Sequence, residues 1–523
     1  MMLSSMRSPA PTNREAMVAL EGTSMGVHPS LQPPPAATLW FPRQIRIFSA
    51  IVLLYALGFI LFFPKALTNF DEVSYVRHAA AFASGHVAVD SVDPYTGEHR
   101  SIIPSGYPAG TSALMVPFIW IAGWRGAFLL GLLAAIACTL ITAKWIMESG
   151  GSPLFALIIL GYVPTLVMAR TAMSDVPSAA LVAAGLWLFW PDDAGSWRRL
   201  AAGFIAGASL SLREPNPILF AVFFAGALLR RECHLLPLIA GTIAGVATRP
   251  LSALLVYGNP MYTKMQYYGF TGHNVPLNLL LYLTAVLILV PGGLIFALGY
   301  RGRRWPELVS TVALFVGMFI LYNYNGEASG GLKQWVLTQR FLIPLLPIIA
   351  FGMAHTCPRW YAAAIRRISP ARRMKWHSVS RAVVTAWLVG IVVLGLAVNW
   401  RSDLWSKVNR DLVDAVYSNT DASLPVVTDI PATDKFLNEL HGQRMLAELT
   451  GIQAGQIRQL IDRHRIVQVV LFDRQDSDYW LSKAKENRIL LDNLSSQFSC
   501  TQKLQQSFPG LGALQVWNVT SRP

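Results

Sequence analysis

Residues 45–79 read IRIFSAIVLLYALGFILFFPKALTNFDEVSYVRHA: an apolar run, a short break, then an Asp-Glu pair followed by Tyr75, Arg77 and His78. The run from Ile45 to Phe63 is long enough to cross about 30 Å of hydrocarbon as a helix. Arg43 and Arg46 lie at its start, which places the N-terminus in the cytoplasm and NFDEVSYVRHA (69–79) outside, because cytoplasmic loops carry an excess of Lys and Arg. If FDEVSYVRHAAAFASG (70–85) is helical, Asp71, Tyr75 and His78 share a face, since residues three and four apart are helix neighbours. A carboxylate held there, near the bilayer boundary, suits a general base acting on an acceptor hydroxyl or amine. An acid in the first turn equally suits a helix cap, and the sequence leaves both readings open.

The rest of the chain has the same character. Of 523 residues, 53% are hydrophobic and only 14% charged, where soluble domains carry about a quarter. The apolar residues fall in blocks, and lipid-embedded backbone must bond to itself, so the blocks read as helices. The net charge of +14 sits mainly in short clusters between blocks. These are topology signals rather than a nucleic-acid surface. Residues 1–42, rich in Pro, Ser and Ala, read as a disordered cytoplasmic tail. The first apolar run lies too deep in the chain for a cleavable signal peptide. Cys138 lies in a span, Cys233 and Cys357 flank spans on the inner side and Cys500 stands alone, so no outer disulfide is expected.

Threading on the basic clusters gives about eleven spans, N-terminus in and C-terminus out. The first outer loop covers 64–111, and SALMVPFIWIAGW (112–124) reads as an interfacial helix. Spans follow at 127–146, 154–168 and 176–190. Residues 200–229 lie between two inner clusters, Arg198-Arg199 and Arg230-Arg231, and must form a hairpin of two short helices with LREPNP (212–217) at its tip. Further spans are expected at 235–257, 279–298, 308–322, 342–354 and 383–398. From residue 401 onward the composition changes: 14 of the chain's 29 acidic residues lie there and the apolar runs shorten. LPVVTDI (424–430), IVQVVLFD (466–473) and LGALQVWNV (511–519) read as strands and YWLSKAKEN (479–487) as helix. The expected architecture is an α-helical polytopic membrane domain over 43–400 and a small extracytoplasmic α/β domain over 401–523.

The outer loops gather the chemistry: Asp71, Glu72, Tyr75, Arg77 and Tyr107, then Arg170 and Asp175, then Arg213 and Glu214, then Tyr267, and last Lys333 and Arg340. Arg249 interrupts an apolar span, where a guanidinium costs about 2.5 to 3.5 kcal/mol and therefore faces a cavity or a partner. Glu214 is its structural alternative. Arg340, at the mouth of a span, can grip a lipid phosphate with its planar fork or snorkel to the interface. No nucleotide-binding glycine motif occurs, so a donor used on this face has to be anchored in the bilayer.

With these residues in place, the chain over about 45–400 resembles the GT-C superfamily of polyprenyl-phosphate-sugar-dependent glycosyltransferases, in its protein O-mannosyltransferase and lipid A aminoarabinose transferase branch. Asp71-Glu72 with Tyr75 carries the resemblance. SGYPAGTSAL (105–114), MSDVPSAAL (173–181), VYGNPMYTKMQYYG (256–269) and QRFLIPLLPIIA (339–350) support it in order and spacing. Ala109 stands where the family usually has a second proline after Tyr-Pro. The resemblance implies Asp71 as base or acceptor-positioning acid, Glu72 as its support in the loop, Asp175 as a second acid near the acceptor or an optional metal, and Arg340 on the carrier phosphate. Tyr75, Arg77, Tyr107, Arg249, Tyr267 and Lys333 are added as substrate-binding candidates. A divalent cation would fall to Asp71 and Asp175.

The implied activity is inverting transfer of a sugar from a polyprenyl-phosphate carrier to an envelope glycan, lipid or protein, on the outer face of a bacterial inner membrane. Membrane lipids are expected as partners and nucleic acid is not. A lipid-linked glycan ligase or polymerase is the nearest alternative. A transporter is more remote, because the charges gather at loop ends rather than at the midplane of repeated halves.

Overall fold

The computed structural model describes residues 37–262, 269–324, 338–429, 432–433, 435–436, 444–448, 454–475 and 478–522. Helix α1 (Ala37–Leu61) carries the first apolar run to its end. Helix α2 (Phe70–Ala83) begins at Asn69, whose side chain accepts from the Glu72 amide while the Glu72 carboxylate reaches back to the Asn69 backbone. That reciprocal pair satisfies two N–H groups that a helix start otherwise leaves unpaired. A two-stranded hairpin follows, β1 (Val89–Val92) and β2 (His99–Ile102), within the expected first outer loop 64–111.

Helix α3 (Ala109–Ala122) packs on α2, and the Trp120 indole donates to the Ala83 carbonyl at 2.9 Å. A 3-10 turn at Gly123–Gly126 leads to α4 (Ala127–Glu148). The chain doubles back so tightly that a Cβ on Gly126 would strike the Phe118 carbonyl.

Two expected spans are broken. Residues 153–168 form a 3-10 turn, α5 (Ile158–Gly161) and α6 (Val163–Met168), interrupted at Tyr162, with Pro164 in the first turn of α6. Eleven of these sixteen residues are buried and none is exposed, the condition under which irregular backbone is tolerated at membrane depth. Residues 275–298 divide into α11 (Val275–Thr284), a π turn at Ala285–Leu289 and α12 (Gly293–Leu298). Pro291 lies between them and cannot donate to the preceding turn.

Helix α7 (Asp175–Phe189) is continuous. The hairpin expected over 200–229 is present as α8 (Ser196–Ala208) and α9 (Ile218–Leu229). Helix α8 crosses α10 (Leu235–Tyr257) backbone to backbone. Gly203 and Gly207 on one helix and Gly241 and Gly245 on the other leave no room for a Cβ. Each helix carries a Gly-x-x-x-Gly repeat, the pattern that lets membrane helices approach closely. Helix α13 (Trp305–Leu321), then α14 (Leu346–Arg366) after a 3-10 turn at Arg340–Leu345, and α15 (Pro370–Ser418) complete the bundle. Among the described residues, five segments are long and apolar enough to cross a membrane, and four shorter apolar helices accompany them.

The basic clusters meet at the end of the bundle away from α2. There Glu232 bonds Arg199 at 2.9 Å and Arg304 at 2.8 Å, Arg304 reaches Asp192 at 3.2 Å, and Arg230 pairs with Glu307.

Helix α15 runs unbroken through residue 400 into a five-stranded sheet of order β4-β3-β5-β7-β6. Strands β3 (Pro425–Thr428), β4 (Met445–Glu448) and β5 (Ile466–Arg474) are parallel, while β6 (Ser499–Phe508) and β7 (Gly512–Thr520) are antiparallel to their neighbours. Leu412 and Val416 of α15 cover Val426, Val470 and Phe472. On the other face, α16 (Ala454–His464) and α17 (Asp478–Gln497) cover Val427, Val469 and Leu471. Alternate residues of β5 face opposite layers, so a strand buried on both sides reads as an unbroken apolar run.

The hairpin β1–β2 docks on this sheet domain: Arg463 donates to the Tyr95 carbonyl at 2.8 Å and His464 to the Pro94 carbonyl at 3.1 Å. All four cysteines are free.

Candidate active site at the α2 end of the bundle

Four stretches distant in sequence converge where α2 begins. Asp71 stands half-buried in its first turn and accepts a hydrogen bond from the Tyr107 hydroxyl. One turn on, Tyr75 stacks on the Tyr107 ring, centroids 4.8 Å apart and planes 24° from parallel. The spacing of four residues puts both side chains on the face that meets Tyr107, as the sequence reading expects. Burial, then the nearby Asp71 charge, pushes the Tyr107 hydroxyl far above its usual range, so it stays protonated and serves as a donor.

The loop that carries Tyr107 is held from two sides. The Tyr257 hydroxyl lies 2.8 Å from the Tyr107 carbonyl and 3.0 Å from that of Ser105. Gly110 meets the backbone of Ser211 at a point where a Cβ would lie 2.5 Å from the carbonyl oxygen.

Opposite lie two cations. Arg213, from the tip of the α8–α9 hairpin, bonds Asp175 at 2.6 Å and covers the Phe341 ring at 5.2 Å. The hairpin helices are only 13 and 12 residues long because their tip ends on this buried acid instead of continuing to water. Arg340 lies within electrostatic reach of Asp175, Tyr324, Asp71 and Tyr107, yet among the described residues it forms no ion pair, and its Nε is buried without a partner. The residue before it is pinned: Tyr162 donates to the Gln339 carbonyl at 2.9 Å, and the Gln339 side-chain Nε2 donates to the Leu281 carbonyl at 2.9 Å. Asp71, Tyr75, Tyr107, Asp175 and Arg340 are thus brought together. Asp175 is neutralised by Arg213, and Arg340 remains an unspent positive charge.

Other expected residues lie elsewhere. Glu72 is fully buried and turned away. Its Oε2 accepts from the backbone and hydroxyl of Thr68, both at 2.7 Å, and from the backbone and side-chain amides of Asn69 at 3.1 and 3.0 Å. Its Oε1 accepts from the Ala172 amide at 3.0 Å, joining α2 to the loop before α7. Burial pushes its carboxyl up, against the pull of those donors. Glu72→Ala leaves these donors unpaired and is expected to cost about 1 to 3 kcal/mol. A large fall in Tm, absent from Asp71 variants, is the measurement that separates the two neighbours.

Arg77 faces away from the cluster, toward Tyr417. Six residues from Asp71 at about 100° each place it roughly 120° around the helix. Arg249 is paired with Glu214 at 3.5 Å and bonded to the Tyr262 carbonyl at 3.0 Å, which is its structural alternative. Tyr267 and Lys333 lie outside the described residues. The cation fits poorly: Asp71 and Asp175 are engaged by Tyr107 and Arg213, and among the described residues no three His, Cys, Asp or Glu side chains are grouped to hold a metal. Arg213 stands among the outer-loop residues of the sequence but not among its substrate-binding candidates, and nothing in the sequence marks Tyr257.

No family model matches the sequence, and no curated protein does. Among solved structures, the chain superimposes on ArnT from Cupriavidus metallidurans bound to undecaprenyl phosphate, with a TM-score of 0.57 and 14% identity over 92% of this chain and 98% of that one. The apo state of ArnT gives 0.58 and 13% over the same shares. The chain has the ArnT fold. The fold implied by the Asp-Glu pair and its companion motifs is thus met at the level of the whole backbone. The likeness spans both the helical bundle and the sheet domain, and nearly the full length of ArnT. At this identity ArnT informs the backbone arrangement, and the side chains are read from this chain alone.

The same face of α2 ends on His78, fully buried against Phe82 (4.2 Å) and Tyr257 (6.4 Å), with both ring nitrogens unpartnered. Burial pushes its pKa down to about 4. The unfolded chain takes up this proton near pH 6.5, so stability is fully present above that pH and falls as pH drops toward about 4, by on the order of 3 kcal/mol in all. His78→Phe is expected to remove that share of the acid loss of Tm, measured between about pH 7 and pH 5.

Proposed function

We propose that this chain is a membrane glycosyltransferase that moves a sugar from a polyprenyl-phosphate carrier to an acceptor of the cell envelope. The observation that carries this reading is Arg340, which forms no ion pair among the described residues, keeps a buried Nε without a partner and lies within electrostatic reach of Asp71. A pinned cation without a carboxylate is arranged for an anion, and a lipid phosphate at the mouth of a span supplies one. The ArnT fold, seen with undecaprenyl phosphate in one of its structures, supports the donor class.

In this reading the acceptor O–H or N–H gives its proton to Asp71 Oδ2, while Oδ1 is held by Tyr107. The acceptor atom attacks the anomeric carbon from the side opposite the carrier, with inversion. The bond from that carbon to the phosphate oxygen breaks, and its electron pair leaves with the phosphate. Phosphate departs as an anion without a general acid, so Arg340 is the group that stabilises the developing charge. Arg213 fixes Asp175 at the acceptor side, Tyr75 supports the Tyr107 ring, and Glu72 holds the turn that aims Asp71.

The topology that fits this chemistry has about eleven crossings, the N-terminal tail 1–42 in the cytoplasm, the bundle 43–400 in a bacterial inner membrane, and the domain 401–523 outside, joined by α15. The acceptor is a glycan, lipid or protein of the envelope. The test supplies membranes containing the chain with radiolabelled polyprenyl-phosphate sugars. Label should pass to an envelope fraction with the intact chain and stay on the carrier with Asp71→Asn. Equal transfer by both would overturn the reading.

A further inference from the structure

A second site lies on the flank of the bundle, between α1 and α15. Leu54 of α1, Leu160 of α5, and Ile391 and Leu396 of α15 wall a groove of about 290 Å³, counting its open mouth. Gly395 lies buried in it, yet a Cβ there would meet no other atom within 4 Å. Nearby the helices touch, with a Cβ on Gly58 only 3.2 Å from Leu396 and one on Gly161 3.0 Å from Ile391. The gap at Gly395 is therefore local. In a close-packed interior such a void forfeits contacts unless something fills it.

The α2 end of the groove is polar and one-sided. Tyr55 and Asn399 line it, and the Tyr55 hydroxyl is buried without a partner. The Asn399 carbonyl oxygen accepts from Arg170 at 2.7 Å, which leaves its two amide hydrogens as what it offers the groove. Arg170 is itself buried, bonds the Phe62 carbonyl, keeps an unpartnered Nε, and forms no ion pair among the described residues. The nearest acid, Asp403, is held by Lys65 at 3.5 Å and Lys407 at 2.9 Å. The head of the groove thus presents donors backed by a positive charge. Trp400, exposed beside Asn399, is the residue type that marks the membrane interface.

We infer that this groove binds one anionic glycerophospholipid of the leaflet at the α2 end, its acyl chain over Gly395 and an ester or phosphate oxygen on Tyr55 and Asn399. It is separate from the cluster around Asp71 and Arg340 and does not depend on the proposed reaction.

The test uses the full chain in nanodiscs containing phosphatidylglycerol with a photoreactive diazirine on its acyl chain, with labelling mapped by peptide. Wild type should be labelled within 391–399. Gly395→Phe should cut that labelling at least about tenfold by occupying the gap, and Tyr55→Phe should cut it severalfold. Tyr55→Phe should keep the wild-type Tm, because its hydroxyl has no protein partner to lose, so it remains decisive if Gly395→Phe folds poorly. Unchanged labelling in Tyr55→Phe would overturn the inference. So would equal labelling by a phosphatidylcholine probe, or displacement by polyprenyl phosphate but not by unlabelled phosphatidylglycerol.

Discussion

Replacing Asp71 with Asn is expected to lower sugar transfer about 10²- to 10⁴-fold, the range a positioned general base contributes. Asn keeps the shape and still offers Tyr107 an oxygen to bond, so the stack of Tyr75 on Tyr107 and the start of α2 should persist. Lost is the lone pair that takes the acceptor proton. The expected pattern is a fall in kcat with little change in KM for the carrier-linked sugar and no change in Tm, measured on purified protein in nanodiscs. A parallel loss of Tm would assign Asp71 to the helix cap instead, the role that Asn69 and Glu72 already fill.

The second large effect belongs to Arg340. Arg340→Ala is expected to lower kcat about 10²- to 10³-fold, as removal of one preorganised charge-stabilising donor does, and to weaken carrier binding as well. Lys at this position should recover only part of the rate, because an ammonium cannot reproduce the two-pronged contact of a guanidinium with phosphate. Stability provides the control. Arg340 forms no ion pair among the described residues, so Arg340→Ala should cost less Tm than Arg213→Ala. Arg213→Ala strands the buried Asp175 and should lower Tm. Activity lost without stability is what separates a ligand-binding arginine from a structural one.

Much of the fold was legible because it rests on local physics. The apolar run before Asn69, the cap that Asn69 and Glu72 form, and the strands at 425–428, 466–474 and 512–520 follow from pattern and composition. Clusters Arg198-Arg199, Arg230-Arg231 and 301–304 had to lie at one end of the bundle, and they do.

The misses have physical reasons too. Strand β6 is polar and largely exposed at the sheet edge, so no apolar alternation announces it. The hairpin β1–β2 is held by its contacts to Arg463 and His464, far along the chain. Pro164 and Pro291 were readable as breaks, yet hydropathy over a span-length window averages across them.

The site divides the same way. Asp71 and Tyr75 were legible from helical spacing, and Arg340 from its place at the mouth of a span. Arg77 failed on the same spacing rule, which puts it on another face of α2. Arg249 and Glu72 look catalytic in sequence because a charge beside or within an apolar run is conspicuous. Their partners, Glu214 and the amide of Ala172, lie 35 and 100 residues away and become visible only when the chain has folded.

The central claim is that Arg340 and Asp71 face one substrate. Cryo-electron microscopy of the chain in nanodiscs with added polyprenyl phosphate tests it most directly. The account predicts phosphate density within hydrogen-bonding distance of the Arg340 guanidinium, on the side open to Asp71. Phosphate bound instead at the opposite end among Arg199 and Arg304, or at the α2 end with Arg340 turned away, would contradict it.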